Sequence, residues 1–237
     1  MSTRLAQIIE IRELAPGVRS FILGLEEGAG SYRYLPGQWL DLHIEIDGQE
    51  KIGGYSLYPP PHSLPPPRSL LPHSHHVCIA VKKSGHPVAT YLHEKARALD
   101  FVRISEGQGP CFYNSERDAG LPLILIAGGI GITPLFCIFS AACEDAQEVQ
   151  LVYSFRASQC LLKDEISELL KKNKRAKVVF RDTEKQGRID PDVLKSLNLP
   201  QSAVVYLCGP RSMIDELSDA LKILGYGPEQ IRFEKWW

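Results

Sequence analysis

Residues 123–134, Leu-Ile-Leu-Ile-Ala-Gly-Gly-Ile-Gly-Ile-Thr-Pro, decide the fold of the second half of the chain. The run up to Ala127 is continuously apolar, which is typical of a strand buried on both faces of a parallel sheet. The glycines then allow a turn, and Thr133 and Pro134 suit the N-cap and the first position of a following helix. The N–H groups of such a helix start favour a pyrophosphate, although the spacing is not the G-x-G-x-x-G dinucleotide fingerprint. A turn that serves only tight strand–helix packing is the alternative.

Strands and helices alternate downstream of this turn. The patterns predict strands over 149–155, 177–181, 203–208 and 231–234, and helices over 134–143, 161–172, 191–197 and 210–224. This alternation predicts a Rossmann-like α/β domain with a parallel sheet. The uncharged stretch 119–143 is long enough for a membrane span. Its glycines and Pro134 favour a strand, a turn and a helix instead, so no membrane span is expected.

The first half of the chain has a strand pattern instead. β-branched or alternating segments cover 6–11, 18–25, 39–46, 76–81 and 101–105, and one helical pattern covers 88–98. Turn signals such as Pro36-Gly37 and Asp47-Gly48 separate the segments. These features predict an α+β domain, an antiparallel Greek-key β-barrel with one helix. A polar segment near 114–120 separates the two halves, so we expect domains at 1–115 and 116–237.

Composition excludes several functional classes. The 237 residues are 44% hydrophobic and 23% charged, which is typical of a globular protein, and the net charge of -1 provides no global field for nucleic acid. The six cysteines form no C-x-x-C pair, so zinc and iron–sulfur spacings are absent from the sequence. Acidic residues in the first twenty positions do not fit a targeting segment, so a cytoplasmic location is expected.

The segment between Tyr58 and His76 is dominated by proline and histidine, with seven prolines and four histidines. Polyproline conformation or an irregular loop is predicted there. A histidine metal site is not favoured, because no acidic or cysteine ligand accompanies the histidines. We therefore expect no metal.

Three further stretches have functional potential. Residues 206–210, Tyr-Leu-Cys-Gly-Pro, predict another strand that ends in a glycine turn, and ligands of open α/β sheets bind beyond such strand ends. Residues 53–57, Gly-Gly-Tyr-Ser-Leu, end a barrel strand with a tyrosine that could stack on a planar ring or belong to the core. Residues 233–237, Phe-Glu-Lys-Trp-Trp, contain two of the three tryptophans, and terminal aromatic residues are also commonly frayed.

Taken together, these motifs resemble the ferredoxin–NADP reductase superfamily. The match consists of a flavin-type barrel, the turn 128–134, Cys-Gly-Pro at 208–210 with a methionine three residues on, and a glutamate before a terminal aromatic pair. Order and spacing agree over about residues 4–237. Stretches 52–56, 80–87 and 233–237 are similar, more narrowly, to the oxidoreductase NAD-binding domain-containing protein 1 group.

The resemblance implies two cofactors, a flavin (FAD, with FMN as the alternative) and NAD or NADP. Tyr55 would stack on the flavin with Ser56 near N5, and Trp236 would cover the other face. Cys208 would flank the nicotinamide and Glu234 the reacting ring, so Ser56, Cys208 and Glu234 are the predicted catalytic residues. The other predicted cofactor-binding residues are Gly54, Val88, Ala89 and Thr90 for the flavin, and Gly128, Gly129, Ile130, Gly131, Ile132, Thr133, Pro134, Arg156, Gly209, Pro210 and Met213 for the nucleotide.

Two positions depart from the superfamily pattern. The flavin motif Arg-x-Tyr-Ser has Gly53 at its arginine position, and the Ser or Thr at the barrel helix start is Ala89 beside Thr90. The arginine normally pairs with the flavin phosphate. Loss of such a charged hydrogen bond is worth about 1.5–3 kcal/mol, roughly ten- to a hundredfold in affinity. We therefore expect weaker flavin binding, with the helix N–H groups still able to hold the phosphate.

The leading functional hypothesis is a flavin-dependent NAD(P)H oxidoreductase that passes hydride from nicotinamide to flavin N5 and then electrons to an unknown acceptor. Any iron–sulfur acceptor would be a separate protein. A flavin-poor NAD(P)-binding regulatory or sensing subunit is the alternative, and an interaction protein that uses the proline-rich segment is a third. Arg156, Arg181 and Arg188 leave NAD and NADP undecided. The resembling group includes mitochondrial members, so that location is the alternative to the cytoplasm.

Overall fold

The computed structural model describes residues 3–26, 32–58 and 73–233, and it divides the chain into two compact units, Met1–Gly109 and Pro110–Trp237. The predicted assignment of 1–115 to a flavin-type domain and of 116–237 to an NAD(P)-type domain stays a prediction. Across the described ranges, no helix combines the length and apolar character that a bilayer span needs.

The first unit contains, within its described residues, six antiparallel strands. They are β1 (Thr3–Ala15), β2 (Val18–Glu26), β3 (Trp39–Ile46), β4 (Gln49–Ser56), β5 (His73–Lys82) and β6 (Phe101–Ser105), in the sheet order β4-β3-β6-β1-β2-β5. Leu57 forms a bridge with Ile79 of β5, so the two outer strands meet. Alternate residues of β3, namely Leu40, Leu42 and Ile44, are buried, as the alternating pattern requires. The predicted antiparallel barrel is confirmed.

The helix described in this unit, α1 (Pro87–Glu94), packs against β3, β4 and β5. The sequence pattern predicts that it extends to residue 98, and that end is wrong. The Arg97 guanidinium donates to the carbonyl oxygens of Glu94, Lys95 and Ala96. These bonds satisfy carbonyl groups that the helix end leaves without partners, so the chain can leave the helix early.

The second unit is built on a parallel sheet. Its described strands are β7 (Leu123–Gly128), β8 (Val149–Phe155), β9 (Ala176–Asp182), β10 (Val204–Cys208) and β11 (Ile231–Phe233), in the order β11-β10-β7-β8-β9. The helices are α2 (Ile132–Glu144), α3 (Lys163–Lys172), α4 (Thr183–Gln186), α5 (Pro191–Ser196) and α6 (Arg211–Ile223). Every residue of β7 and β10 is buried, which explains their continuous apolar runs. The predicted Rossmann-like sheet is confirmed.

Candidate functional site

A glycine turn joins β7 to α2 and passes through a 3₁₀ turn at Gly129–Gly131. Gly129 has a φ of 57°, the left-handed conformation that favours glycine. A Cβ at Gly129 would meet no described atom within 4 Å, so the turn is open on this side. A Cβ at Gly131, in contrast, would collide with the carbonyl oxygen of Cys208. The turn therefore combines one glycine that is open to a ligand with one that close packing requires.

The helix after this turn begins earlier than predicted. α2 begins at Ile132 with Gly131 as its N-cap, so the prediction of Thr133 as N-cap and Pro134 as first helical residue is wrong. The 3₁₀ turn runs directly into the helix and moves its start toward the strand. Thr133 Oγ1 donates to the carbonyl oxygen of Ile130 over 3.0 Å. In a helix that carbonyl would accept from the N–H of residue 134, which proline lacks.

The start of α2 suits an anion. No side chain in the described part of the chain caps it. The start of a helix carries the positive end of its dipole. The Ile132 N–H already donates to the carbonyl oxygens of Gly129 and Ile130, and Pro134 has no N–H, so these two residues offer no donor to a ligand. A pyrophosphate is the kind of group that such a turn binds.

A second turn follows β10 and packs against the first. Cys208 is buried at the end of β10 and pairs with Ala127 of β7. A Cβ at Gly209 would lie 2.6 Å from Met213 Cε and 3.0 Å from Gly128 Cα, and a Cβ at Gly128 would lie 2.8 Å from Met213 Sδ. The structure therefore brings together the predicted residues of both turns at one edge of the sheet, with the Met213 side chain between them.

The end of β8 lies at the same edge, because Ser154 pairs with Gly128. Arg156 follows two residues later and is exposed, which leaves it available for the predicted contact with an adenosine ribose or a 2′-phosphate.

Arg181, another arginine considered for a 2′-phosphate, binds the backbone of its own unit instead. Its Nε donates to the carbonyl oxygens of Gly187 over 2.9 Å and Arg188 over 3.2 Å, so this guanidinium stabilises the turn after α4.

In the first unit, the Tyr55 ring lies over the backbone of Gly53. A Cβ at Gly53 would lie 2.9 Å from both Cε2 and the hydroxyl oxygen of Tyr55. Burial raises the pKa of the Tyr55 hydroxyl above its usual range, so the ring is neutral at physiological pH. Tyr55 and Ser56 are both partly exposed, and successive residues of a strand point to opposite faces. An arginine at position 53 would require the Tyr55 ring to move.

The start of α1 offers mainly backbone groups. Val88 and Ala89 are buried, and Thr90 Oγ1 donates to the carbonyl oxygen of Ser84 over 3.2 Å. Among the described residues, no side chain caps this helix, whose N-cap is His86. The N–H groups of Val88 and Ala89 are therefore what this helix start offers to a flavin phosphate. The residues fit a flavin in part: the aromatic ring and the helix start are present, and the arginine is not.

Two predicted residues, Glu234 and Trp236, lie outside the described residues, as does 59–72, most of the proline-rich segment. The predictions for them stay predictions. The catalytic roles of Ser56 and Cys208 also stay predictions.

A buried polar network in the second unit was not predicted. Asp118, with 0% of its surface exposed, accepts from Arg117 Nε over 2.9 Å and from Arg232 Nη1 over 2.8 Å. The Tyr206 hydroxyl lies 2.9 Å from Asp118 Oδ2 and accepts from Arg232 Nη1 over 2.6 Å. Two sequence signals could have indicated it: the tyrosine within the apolar run of β10, and the arginine between Ile231 and Phe233. Asp118 itself lies in a polar segment that gives no such signal.

The comparisons with known proteins agree with this architecture. Residues 125–219 match the family model of the oxidoreductase NAD-binding domain. A solved structure of the flavohem-like FAD/NAD binding domain of nitric oxide dioxygenase from Vibrio cholerae superposes with a TM-score of 0.79 at 25% identity, covering 98% of this chain and 97% of that one. The resemblance to the ferredoxin–NADP reductase superfamily is confirmed.

Relatives by sequence support the same family. Oxidoreductase NAD-binding domain-containing protein 1 of Danio rerio is 28% identical over 240 residues, covering 91% of this chain and 86% of the relative. The flavohemoprotein of Pseudomonas putida is also 28% identical, over 98% of this chain but 58% of its own length. The chain thus spans most of one relative and little more than half of another, and the match to an oxidoreductase NAD-binding domain supports an oxidoreductase.

Proposed function

We propose that the protein is an NAD(P)H-dependent flavin oxidoreductase, in which hydride passes from nicotinamide to flavin N5 and electrons then go to a separate acceptor. The observation that carries the proposal is the pair of glycine turns at the carboxyl edge of the parallel sheet. Gly129 leaves open space beside an uncapped helix start, while Gly128, Gly209 and Met213 hold the two turns together. The match to the oxidoreductase NAD-binding domain covers both turns.

The chain's own residues bind and orient in this proposal. The α2 start holds the pyrophosphate, and Arg156 contacts the adenosine end of the nucleotide. Cys208 borders the nicotinamide, and its burial at the end of β10 keeps water from that side of the ring. A bound flavin supplies the electron chemistry. In this proposal Tyr55 orients the flavin by stacking, and the Ser56 hydroxyl hydrogen-bonds its reactive edge.

An absorption spectrum tests the proposal. The full chain is incubated with FAD or FMN, desalted, and mixed anaerobically with NADH or NADPH. A flavin band that bleaches supports the proposal, and the donor that bleaches it faster defines the nucleotide preference. Ser56→Ala should slow the bleaching, whereas Ser196→Ala, which removes an exposed hydroxyl bonded within α5, should not. Failure of both donors to bleach any added flavin would contradict the proposal.

A second function, an NAD(P)-sensing subunit without turnover, is favoured by one observation. Position 53 is glycine, so no arginine pairs with a flavin phosphate there, and the Tyr55 ring occupies the space that a side chain at this position would need. Calorimetry distinguishes the two functions. Nucleotide binding in a preparation that neither retains nor reduces flavin would favour the sensing subunit.

A further inference from the structure

The segment around the end of β8 has an unusual charge pattern for a site that binds a ribose. Residues 154–160, Ser-Phe-Arg-Ala-Ser-Gln-Cys, contain one arginine and no acidic residue. In open α/β sheets, a carboxylate near such a strand end binds the ribose hydroxyls of NAD, whereas an arginine binds the 2′-phosphate of NADP. The composition of this segment therefore favours NADP.

The neighbouring strand ends in a carboxylate, but this carboxylate is bound within the chain. Asp182 of β9 lies opposite Phe155 in the parallel register, and its side chain is 13% exposed. Its Oδ1 accepts from the backbone N–H of Glu184 over 3.1 Å, and Lys185 Nζ lies 3.9 Å from its Oδ2. Arg156, in contrast, is exposed and has no ion-pair partner among the described residues, so its guanidinium is free to bind a phosphate.

The hydroxyl of Tyr153 in β8 holds the backbone that follows Arg156. This fully buried hydroxyl donates to the carbonyl oxygen of Gln159 over 3.2 Å and accepts from the N–H of Leu161 over 3.1 Å. The N–H of Gln159 in turn donates to the carbonyl oxygen of Arg156 over 2.7 Å. Burial raises the pKa of the Tyr153 hydroxyl above its usual range, so the hydroxyl stays protonated at physiological pH. The 3₁₀ turn Ala157–Gln159 is therefore closed, with Arg156 at its start.

A second hydroxyl, that of Thr183, holds the backbone that precedes Arg156. Thr183 directly follows β9, and its Oγ1 donates to the carbonyl oxygen of Phe155 over 3.1 Å. The Phe155 ring also packs against the Tyr153 ring, with 5.2 Å between the ring centres. The backbone is thus fixed immediately before and immediately after Arg156.

We propose that the protein prefers NADPH to NADH, and that Tyr153 and Thr183 are positioning residues, which hold the backbone of Arg156 so that its guanidinium binds the 2′-phosphate. This inference rests on the nucleotide site of the proposed function. Neither hydroxyl touches the nucleotide in this proposal. A fixed backbone reduces the freedom that Arg156 loses on binding, so the loss of either hydroxyl should weaken only the contact with the 2′-phosphate.

Calorimetry of the full chain with NADPH and with NADH tests the preference. We expect the wild-type protein to bind NADPH about tenfold more tightly than NADH, the lower end of the range for a charge-assisted hydrogen bond, because the site is exposed. Arg156→Gln should lower the NADPH affinity about tenfold and leave the NADH affinity unchanged. Equal affinities of the wild-type protein for the two nucleotides would overturn the proposal.

Combined substitutions test the positioning role. Tyr153→Phe and Thr183→Val should each lower the NADPH affinity about threefold without changing the NADH affinity, and Thr183→Ser, which keeps the hydroxyl, should bind NADPH normally. In an Arg156→Gln background, Tyr153→Phe should not lower the NADPH affinity further, since the contact that it supports is already lost. A loss of the same size in both backgrounds would show that Tyr153 does not act through Arg156.

Tyr226→Phe is the matched control for lost stability. Tyr226 is also a buried tyrosine of the second unit, and its hydroxyl donates to the carbonyl oxygen of Pro200 over 3.0 Å. This variant should lower the melting temperature without changing the ratio of the NADPH and NADH affinities. If it changes this ratio as much as Tyr153→Phe does, the role of Tyr153 is structural only.

Because calorimetry needs no flavin, it separates the failure of this inference from the failure of the proposed function. A protein that prefers NADPH but reduces no added flavin would contradict the oxidoreductase function and support the inference. A protein that reduces flavin but binds NADPH and NADH equally would support the oxidoreductase function and contradict the inference.

Discussion

The two candidate sites, one in each unit, differ in the groups that would bind the cofactor. In the second unit the candidate nucleotide site is built from backbone, since Gly128, Gly131 and Gly209 allow two turns to touch where any side chain would intervene. In the first unit the candidate flavin site combines the backbone at the start of α1 with a side chain, the ring of Tyr55. A site built from backbone requires positions without side chains. A site that uses a side chain can lose that one contact and keep its other contacts.

The two departures from the pattern of the superfamily that the chain resembles both fall in the first unit. They lie at Gly53 in β4 and at Ala89 in α1, the two elements of the candidate flavin site. A side chain at position 53 would meet only the ring of Tyr55, which can rotate away, among the described atoms nearest to it. At Gly131 and Gly209, in contrast, a Cβ would collide with backbone atoms or with the packed Met213 side chain.

The largest expected effect comes from Gly131→Ala. Its Cβ would collide with the backbone of Cys208 and Gly209, which belongs to a neighbouring strand end and cannot rotate away. Overpacking of this kind costs about 1–3 kcal/mol of unfolding free energy, and the displaced turn should also lose its nucleotide affinity. Urea denaturation and calorimetry with NADH measure the two effects.

Gly85→Ala is the control for that substitution. A Cβ at Gly85 meets no described atom within 4 Å, and its φ lies outside the left-handed region. Stability and nucleotide affinity should therefore remain at the wild-type level. Normal nucleotide affinity in Gly131→Ala would contradict the backbone-built description of the site.

The next largest effect is a pH-dependent loss of stability at Asp118. This residue shows that side-chain contacts also stabilise the second unit. Burial alone would raise the pKa of Asp118, but the hydrogen bonds from Arg117 and Arg232 lower it to about 2 from the ordinary 3.8. Because the pKa of Asp118 is lower in the folded state than in the unfolded state, its ionised carboxylate stabilises the fold above pH 4, and this stabilisation is lost as pH falls toward 2. The loss amounts to about 2 kcal/mol.

Comparison of the wild type with Asp118→Asn isolates this contribution from other acidic groups. The difference in unfolding free energy between the two proteins should be large at pH 6 and should shrink as pH falls from 4 to 2. A difference that stays constant over this range would show that the charge of Asp118 is not what stabilises the fold.

Much of the fold could be predicted because its strands are either continuously apolar or alternating. β8, for example, has the predicted bounds, since both of its ends coincide with a change in polarity. The start of α2 was predicted wrongly because the 3₁₀ turn depends on the packing of Gly131 against Cys208, a contact distant in sequence. The Asp118 network was missed for a similar reason: apart from the adjacent Arg117, its partners Tyr206 and Arg232 are 88 and 114 positions away.

A substitution of Tyr55 tests the candidate flavin site directly. Tyr55→Leu keeps an apolar side chain but removes the aromatic face, so FMN affinity should fall about tenfold, the size expected for loss of ring stacking and its contact area. Tyr91→Leu, on the partly exposed face of α1, serves as control and should bind FMN normally. Titration of each protein by flavin fluorescence measures the affinities, and equal affinities would remove Tyr55 from the site.

The smallest expected effect concerns the Thr133 hydroxyl, at the start of α2 in the second unit. If this hydroxyl replaces the N–H that Pro134 lacks, Thr133→Val should cost about 1 kcal/mol, the usual net value of one hydrogen bond. In a Pro134→Ala background the new N–H of residue 134 can donate to Ile130, so the same Thr133→Val change should cost clearly less. Unfolding free energies of the four proteins form a double-mutant cycle. Additive costs would mean that Thr133 and Pro134 act independently, and that the glycine turn alone determines where the helix begins.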